Sequence, residues 1–486
     1  MLALFFLVWI FFCLLFLWVQ RPRNFPPGPQ PVPVFGNLFQ LSLTDPLQDF
    51  ERFSDLYGNV YSLYFGRTPA VFLNGLKAVK EALVTKGSDF SGRPQNILMS
   101  HLTQGNGVVF LDYGPGWREH RRFSLTNLRN FGMGKRSMED RILGELEHLT
   151  ACLEKSAGGS LDPHILFHDA TSNIIHLVLY GTRYEYKDKI LQEYITHFAA
   201  VGKIASGPWG VIYDTLPIIR SLPLPFKDAF THFEAIKKMI ANMVSKNETV
   251  RVPGEPENFV DCYLDEIEKR GSDGSSFDDA NLVRTIMDLY GGGTETISNT
   301  LLTAFLYLMN FPDVQERCRQ EIDEVLEGKA NACFEDRHNM PYTQAVIHEV
   351  QRVANIFPLS VPHCTTKDTE LMGYNIPKGT LIIPNLSSVL SEEGQWKFPH
   401  EFNPENFLNE QGQFEKPEAF MPFSAGPRVC LGEVLARMEL FLILATLLRR
   451  FQFFWPEDAG EPDFTRVYGV TQTPKPYRMG VRLRAN

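Results

Sequence analysis

The sequence predicts a mostly α-helical fold with a small β region, in which residues 36–486 form one large domain. Apolar residues recur with helical spacing from Leu76 to about Leu359, whereas strand-like runs are few and short. No internal repeat, low-complexity segment or long linker divides the chain. These observations favour a single core over several smaller ones.

The few strands are expected in two places. Val60–Phe65 and residues 69–73 flank a turn at Gly66 and Arg67, and residues 371–374 and 380–384 have a similar β-like composition. Everything between these two regions is expected to be helix and connecting loop.

Composition limits the partners. The formal net charge of −10 argues against nucleic acid as a partner. The seven cysteines are odd in number, scattered and without a CxxC pair. This pattern is neither a disulfide framework nor a zinc site, and it fits a reducing compartment.

The first twenty residues predict a transmembrane signal anchor. Residues 2–19 are uninterruptedly apolar and would span about 27 Å as a helix. A cleaved signal peptide is the alternative, but no small-x-small cleavage pattern follows. Arg21 and Arg23 place the following chain on the cytosolic side, where the sequons at Asn247 and Asn385 would remain unused. Residues 21–35 are basic and proline-rich and predict a semi-rigid hinge.

One helix is expected to be unusually long. Asp278 and Asp279 offer an N-cap, and the helical pattern continues to about Met309. Its centre holds three consecutive glycines, 291–293, each costing about 1 kcal/mol of helix propensity relative to alanine. A simple kink is one interpretation. The other is that a bulky group approaches the backbone closely.

The residues after the glycines favour the second interpretation. Glu295 and Thr296 place a carboxylate and a hydroxyl on the next half-turn. A carboxylate and a hydroxyl beside a groove are what proton delivery requires.

A single cysteine lies in a loop rich in glycine and proline. The loop runs Phe423-Ser-Ala-Gly-Pro-Arg-Val-Cys430-Leu-Gly432, and an amphipathic helix is predicted over residues 433–450. Unpaired amides at the start of that helix and the nearby Arg428 would both favour a Cys430 thiolate. A buried, inert thiol is the alternative for an arbitrary cysteine.

The pattern Phe423-x-x-Gly426-x-Arg428-x-Cys430-x-Gly432 resembles the heme-binding signature of the cytochromes P450. Other segments resemble the family's landmarks in the same order along the chain: Trp117-x-x-x-Arg121, Gly292-Gly-Thr-Glu-Thr296 and Glu349-x-x-Arg352. Phe90-Ser-Gly-Arg93, Phe402-Asn-Pro404 and the proline-rich hinge are similar to the vertebrate microsomal branch, family 2.

The resemblance implies the cytochrome P450 fold and a bound heme b. It implies that Cys430 is the axial thiolate ligand of the iron and that Glu295 and Thr296 relay protons to bound dioxygen. Five further residues would hold the heme propionates: Arg93, Trp117, Arg121, His363 and Arg428. Glu349 and Arg352 would form a buried ion pair behind the heme.

The implied activity is a monooxygenase that inserts one oxygen atom into a hydrophobic small molecule, such as a xenobiotic, a fatty acid or a steroid. Electrons would come from NADPH through a flavoprotein reductase, with cytochrome b5 as a further partner. The expected location is the endoplasmic reticulum membrane, with the catalytic domain in the cytosol. Two alternatives remain: a heme-thiolate isomerase of fatty hydroperoxides, which typically lacks the acid–alcohol pair, and a non-enzymatic heme carrier or gas sensor.

Two segments predict contacts with partners. The stretch from Trp117 to Arg136 carries one acid and six basic residues, which are Arg118, Arg121, Arg122, Arg129, Lys135 and Arg136. A solvated basic helix is one interpretation, but such a cluster in an acidic protein favours a contact with an acidic partner. The segment 204–226 is apolar. It could be part of the core, but we expect it to form a second contact with the membrane. Residues 95–110 and 356–361, with Val470, should line an apolar substrate pocket.

Four positions depart from the family pattern. Asn406 stands where Arg or His often completes the network around Glu349 and Arg352, and Pro427 replaces a basic residue. Gly292 and Ile297 replace a common Ala and a frequent Thr. None of the four alters Cys430, Glu295 or Thr296.

Overall fold

The computed structural model describes residue 9 and residues 21–131, 133–134, 136–271, 274 and 276–484. The helices among these residues are α1 (Leu47–Tyr57), α2 (Gly75–Lys80), α3 (Leu98–Thr103), α4 (Pro115–Asn130), α5 (Arg136–Lys155), α6 (Pro163–Tyr180), α7 (Lys189–Ser206), α8 (Pro208–Thr215), α9 (Phe226–Val250), α10 (Phe259–Arg270), α11 (Asp279–Asn310), α12 (Pro312–Val325), α13 (Pro341–Ala354), α14 (Leu386–Leu390) and α15 (Glu433–Arg450). Helices dominate, as predicted.

The strands are short. They are β1 (Val60–Phe65), β2 (Thr68–Leu73), β3 (Ser160–Leu161), β4 (His363–Cys364), β5 (Thr369–Leu371), β6 (Tyr374–Ile376), β7 (Leu381–Pro384), β8 (Phe451–Phe454), β9 (Arg466–Val467), β10 (Thr473–Pro474) and β11 (Met479–Leu483). The main sheet has the order β1-β2-β7-β4, in which β2 and β7 run parallel and the other pairs antiparallel. A three-stranded sheet, β3-β11-β8, and the pairs β5-β6 and β9-β10 complete the β structure.

The long central helix is confirmed. α11 spans 32 residues, and the Asp278 carboxylate caps it by accepting a hydrogen bond from the Asn281 amide at 2.7 Å. It contacts α6, α9, α13 and α15, so it forms the axis of the core. The helix continues through all three glycines.

Two local predictions are wrong. Residues 371–374 are not a strand but the turn of a hairpin: Leu371 ends β5, Tyr374 begins β6, and Met372 and Gly373 between them have φ values of +48° and +83°. Helix α15 is not amphipathic, because α5, α11, α12 and α13 all pack against it. Its exposed residues, Val434 and Arg450, lie at its ends, and a helix surrounded in this way needs no separate polar face.

The predicted transmembrane segment, residues 2–19, lies outside the described residues apart from Trp9. None of the helices α1 to α15 combines the length and the apolar character that crossing a membrane requires.

Both sequon asparagines are buried and have hydrogen-bonded amides. Nδ2 of Asn247 donates to the Asp261 carboxylate at 2.6 Å, and Nδ2 of Asn385 donates to Oδ1 of Asn74 at 2.8 Å. Their exposed fractions are 9% and 4%. Neither amide nitrogen is therefore available to a modifying enzyme in the folded protein.

Candidate functional site

The cysteine loop is a tight turn held against a neighbouring helix end. The Cys430 amide donates to the Phe423 carbonyl at 3.0 Å and closes the loop. Gly426 has a φ of +75°, and a Cβ atom there would lie 1.7 Å from the carbonyl oxygen of Leu83. Leu83 belongs to a wide helical turn, Glu81–Thr85, that follows α2. Only glycine fits this contact.

The Cys430 side chain is exposed at its surface but surrounded by protein. It is accessible to a molecule the size of water, yet burial is the largest influence on its pKa and raises it. Both statements hold for a group facing a space inside the protein. The amides of Gly432 and Glu433 and the guanidinium of Arg121 oppose the rise and favour the thiolate. The cation near the sulfur is thus Arg121 rather than Arg428.

Arg428 turns away from the sulfur. Its guanidinium donates to the carbonyls of Leu111 at 2.8 Å and Ser91 at 3.0 Å, and it lies 4.2 Å above the ring of Trp117. Burial, and after it the nearby cation of Arg93, lower its pKa to about 8. Arg428 is therefore a buried cation in a positively charged surrounding.

Arg93 and His363 lie beside Arg428. Arg93 donates to the carbonyls of Val109 at 2.8 Å and Pro362 at 2.7 Å, and burial lowers its pKa to about 9. His363, on β4, bonds through Nδ1 to the Phe90 carbonyl at 2.7 Å. Since a carbonyl can only accept, Nδ1 carries the proton and Nε2 faces away from this bond. Burial and the two arginines hold the pKa of His363 well below its ordinary value.

Trp117 and Arg121 come from α4. The indole N–H of Trp117 donates to the Val108 carbonyl at 3.1 Å, and its ring lies between the guanidinium groups of Arg428 and Arg121. Arg121 donates to the Val429 carbonyl at 2.6 Å, directly beside Cys430. The spacing of Trp117 and Arg121, one helical turn, places both on the face toward the cysteine loop.

The three arginines lack a directly bonded counter-charge, although the carboxylates of Asp112 and Asp288 act on this cluster from a greater distance. In the part of the chain that the structure describes, the side-chain hydrogen bonds of Arg93, Arg121 and Arg428 end on backbone carbonyls, and none forms an ion pair with a carboxylate. Buried cations without a counter-charge are costly. A dianionic ligand such as the two propionates of heme would supply that charge, so the residues present fit the group.

The three glycines of the central helix face different surroundings. A Cβ at Gly291 would lie 3.0 Å from Phe198, and one at Gly293 would lie 3.0 Å from Ile175, so these two positions allow α7 and α6 to pack closely. Gly292 faces open space and is exposed. The bulky neighbours expected from the sequence are thus protein side chains at two of the three positions.

Thr296 lies one turn after Gly292. Its hydroxyl donates to the Gly292 carbonyl at 2.6 Å, and both Thr296 and Glu295 are half-buried. The acid and the alcohol therefore border the same open space as Gly292.

Asp288 is a member of the site that sequence reasoning missed. Its Oδ2 accepts hydrogen bonds from the amides of Val108 at 2.6 Å and Val109 at 2.8 Å, and burial raises its pKa to about 6. The available signal was an acid among the mostly apolar residues of the central helix, one turn before Gly292. Gly107 allows the approach, because a Cβ there would lie 2.4 Å from the carboxylate.

The expected ion pair behind the site forms. Glu349 and Arg352 are joined by two hydrogen bonds of 2.7 Å, and Arg352 also donates to the carbonyls of Leu390 and Pro399. Asn406 completes the network: its Nδ2 donates to Glu349 at 3.2 Å, and its Oδ1 accepts from the Phe398 amide at 2.9 Å. A neutral amide thus replaces the cation that is frequent at this position.

Contacts connect the segments expected to line the pocket to α7, to α11 or to one another, one pair at a time. Asp288 fixes residues 107–109, and the Gln472 amide donates to the Ile356 carbonyl at 2.9 Å. A Cβ at Gly202 on α7 would lie 3.8 Å from Val470.

The family model described as Cytochrome P450 matches residues 26–481. The chain belongs to the cytochrome P450 family. This P450 is 43% identical over 462 residues to mouse cytochrome P450 2F2, covering 94% of each chain. It is 43% identical over 485 residues to rat cytochrome P450 2D3, covering 97% of this chain and 96% of the relative. Human cytochrome P450 2J2 is 40% identical over 466 residues, with coverages of 96% and 92%.

Family membership confirms the reaction class and the cofactor predicted from the sequence. This P450 is a heme-dependent monooxygenase of family 2, and the family binds heme through a cysteine thiolate. A reductase as redox partner and hydrophobic substrates follow from the same membership, and family 2 members are microsomal proteins of the endoplasmic reticulum.

Proposed function

We propose that Cys430 is the axial ligand of the heme iron in this P450 and that Arg93, Trp117, Arg121, His363 and Arg428 hold the propionates. The observation that carries the proposal is the convergence of three arginines, none in an ion pair with a carboxylate, around the loop that presents the accessible Cys430 thiol. A propionate would also favour the imidazolium of His363, whose Nε2 could then donate. Trp117, whose N–H bonds to Val108, would act mainly as a platform for two guanidinium groups.

When bound, the heme supplies an iron that binds and activates dioxygen. Glu295 and Thr296 would deliver the protons that this chemistry consumes. The Thr296 hydroxyl donates to the Gly292 carbonyl, so its oxygen lone pairs remain available to accept a hydrogen bond from water or from Glu295 in its protonated form. The carboxylate of Glu295 is half-buried, so water molecules can reach it.

The substrate would be a hydrophobic small molecule, such as a xenobiotic, a fatty acid or a steroid. Leu98, Val108 and Phe110 supply apolar surface in the predicted pocket segment. Two carboxylates bond to this segment: Asp288 accepts from the amides of Val108 and Val109, and Asp214 accepts from the Leu98 amide at 2.6 Å, so both are engaged by the main chain.

Residues 1–20 would anchor the enzyme in the membrane, residues 21–35 would form the hinge, and residues 36–486 the catalytic domain. A second membrane contact would come from the segment after α8, where Ile218 is 85% and Leu222 is 47% exposed. The hinge lies beside this segment, because the carbonyls of Val34 and Thr215 both border Gly66. Val34 is itself 49% exposed, so hinge and segment would share one apolar surface.

The exposed arginines of α4, Arg118, Arg122 and Arg129, would dock an acidic face of the flavoprotein reductase. Cytochrome b5 would use the same basic surface. Arg136 is exposed at the start of α5, whereas Lys135 lies outside the described residues.

The reduced carbon monoxide complex tests the ligand assignment. The wild type should show the red-shifted band of a thiolate ligand, and Cys430→Ala should lose it. Cys364→Ala, in which a half-buried thiol beside His363 is removed, is the matched control and should retain the band. A band that survives Cys430→Ala would assign the ligand to another residue.

Thr296→Ala tests the proton relay. The variant should bind heme and substrate but divert reducing equivalents to peroxide, because proton delivery no longer follows its normal route. Unchanged coupling of NADPH oxidation to product would remove Thr296 from the mechanism. Turnover of a fatty hydroperoxide without reductase would instead favour an isomerase.

A further inference from the structure

Asn299 is an unusually placed amide in the core. It lies on α11, three residues after Thr296 and four after Glu295, and its exposed fraction is 1%. Residues with this spacing share one helix face, and helical side chains lean toward the preceding turn. The Asn299 side chain therefore extends over the turn that carries the acid and the alcohol.

Only one half of the amide is bonded within the described chain. Nδ2 donates to the hydroxyls of Thr473 at 2.9 Å and Thr471 at 3.3 Å, which ties α11 to the segment that follows Val470. Oδ1 is buried and has no hydrogen-bond partner among the described residues. A buried carbonyl oxygen without a donor is unfavourable, and such groups commonly bind an ordered water.

We propose that Asn299 is a positioning residue of the proton relay, whose Oδ1 holds a buried water next to Thr296. The inference rests on the relay role proposed above for Glu295 and Thr296. A water there could donate one proton to Asn299 Oδ1 and the other to Thr296 Oγ1, whose own proton is engaged by the Gly292 carbonyl. Asn299 would thereby fix the water's orientation toward the relay.

The same contacts connect the relay to the substrate pocket. Thr471 and Thr473 flank Gln472, whose amide bonds to Ile356 in another predicted pocket segment. A substrate that displaces the wall near Val470 would shift the two threonines, and through them the amide of Asn299. The proposal therefore predicts that coupling depends on how well a substrate fits this wall.

The direct test is a high-resolution crystal structure of the heme-loaded enzyme. An ordered water should lie within about 3.2 Å of Asn299 Oδ1. A donor from the protein at this oxygen, or a dry and apolar surrounding, would overturn the proposal. This readout does not depend on activity.

The functional test compares Asn299→Leu with Thr303→Val. Thr303 lies one turn further along α11, is 3% exposed, and its hydroxyl donates to the main-chain carbonyl of Asn299 at 2.9 Å. Asn299→Leu should raise the ratio of peroxide to product several-fold and enlarge the solvent isotope effect on product formation, while Thr303→Val should change neither. Both should retain the thiolate carbon monoxide band, which shows an intact heme site.

If Asn299→Leu folds poorly, the smaller Asn299→Thr takes its place in the same assays. Failure of this inference and failure of the relay are then distinguishable. If Thr296→Ala uncouples the enzyme but neither Asn299 variant does, this inference fails and the relay stands. If Thr296→Ala is itself fully coupled, the relay and with it the role of Asn299 are wrong.

Discussion

The amide nitrogen of Val108 lies 2.6 Å from Oδ2 of Asp288, while the carbonyl oxygen of the same Val108 accepts from Trp117 at 3.1 Å and Arg428 at 3.4 Å. One residue thus connects the central helix to two of the proposed propionate ligands. The loop before α4 is fixed from both sides, and the position of the arginine cluster depends on a carboxylate outside it.

Titration of Asp288 should be visible in the pH dependence of stability. Burial raises its pKa from 3.8 to about 6. A native carboxyl that holds its proton more tightly than the unfolded one contributes stability at low pH, which is lost as pH rises through this window. The loss is at most about 3 kcal/mol. Asp288→Asn abolishes the titration. As pH rises from 4 to 6, the free energy of unfolding of the wild type should therefore fall relative to that of the variant, as measured by chemical denaturation. Parallel profiles for the two proteins would contradict this.

Gly426→Ala should abolish heme binding. The new methyl group would overlap the Leu83 carbonyl, at 1.7 Å, and would have to displace the cysteine loop. Gly412→Ala is the matched control, since Gly412 has a similar φ of +71° but open space around its Cα. The control isolates the cost of backbone strain, about 1 kcal/mol, and should load heme normally as judged by the Soret absorbance. Equal heme loss in both variants would show that strain, not the contact with Leu83, is decisive.

Asn406→Ala should lower the free energy of unfolding by about 1–3 kcal/mol, because Glu349 loses a donor while remaining buried. Asn406→Asp should cost more, since a second carboxylate would face Glu349. Burial already raises the pKa of Glu349, and Arg352 only opposes that rise. Asn339→Ala, at an exposed asparagine, serves as the control for thermal and chemical unfolding. A neutral result at Asn406 would mean that Arg352 and the Asn403 amide suffice to satisfy the glutamate.

Reversing Arg118, Arg122 and Arg129 to Glu should slow NADPH-driven turnover, most strongly at low salt, because long-range attraction is screened over about 8 Å at physiological ionic strength. Peroxide-driven turnover bypasses the reductase and should barely change. Lys189, Lys238 and Lys246 are exposed on α7 and α9, so their reversal changes the net charge equally and controls for it. An equal effect of both triple variants would indicate dependence on total charge rather than docking.

Much of the site could be predicted because its signals are local. The glycine turn before Cys430, the one-turn spacing of Trp117 and Arg121, and the adjacent pair Glu295 and Thr296 each lie within a few neighbouring residues. The bond between Val108 and Asp288 joins positions 180 residues apart, and no pattern in either segment specifies the other. For the same reason the sequence associated Cys430 with Arg428, its neighbour in the chain, whereas Arg121 is the cation whose charge favours its thiolate.

The errors in the fold have a similar cause. The hairpin at Met372 and Gly373 and the apolar surroundings of α15 are decided by tertiary packing, which overrides a short apolar run or a modest polar stripe. The central helix was predicted correctly, because its N-cap and its helical periodicity are both properties of the local sequence.

The buried amides of Asn247 and Asn385 have a practical consequence for mapping which side of the membrane the enzyme occupies. A missing glycan at these sequons is expected in either compartment once the chain has folded, since both nitrogens are already donors. Gln411→Thr would place a sequon at Asn409, next to the exposed Glu410, and would report orientation directly. A glycan at Asn247 or Asn385 would instead show that the transferase modified the chain before it folded. It would therefore identify molecules that had been unfolded in the transferase's compartment.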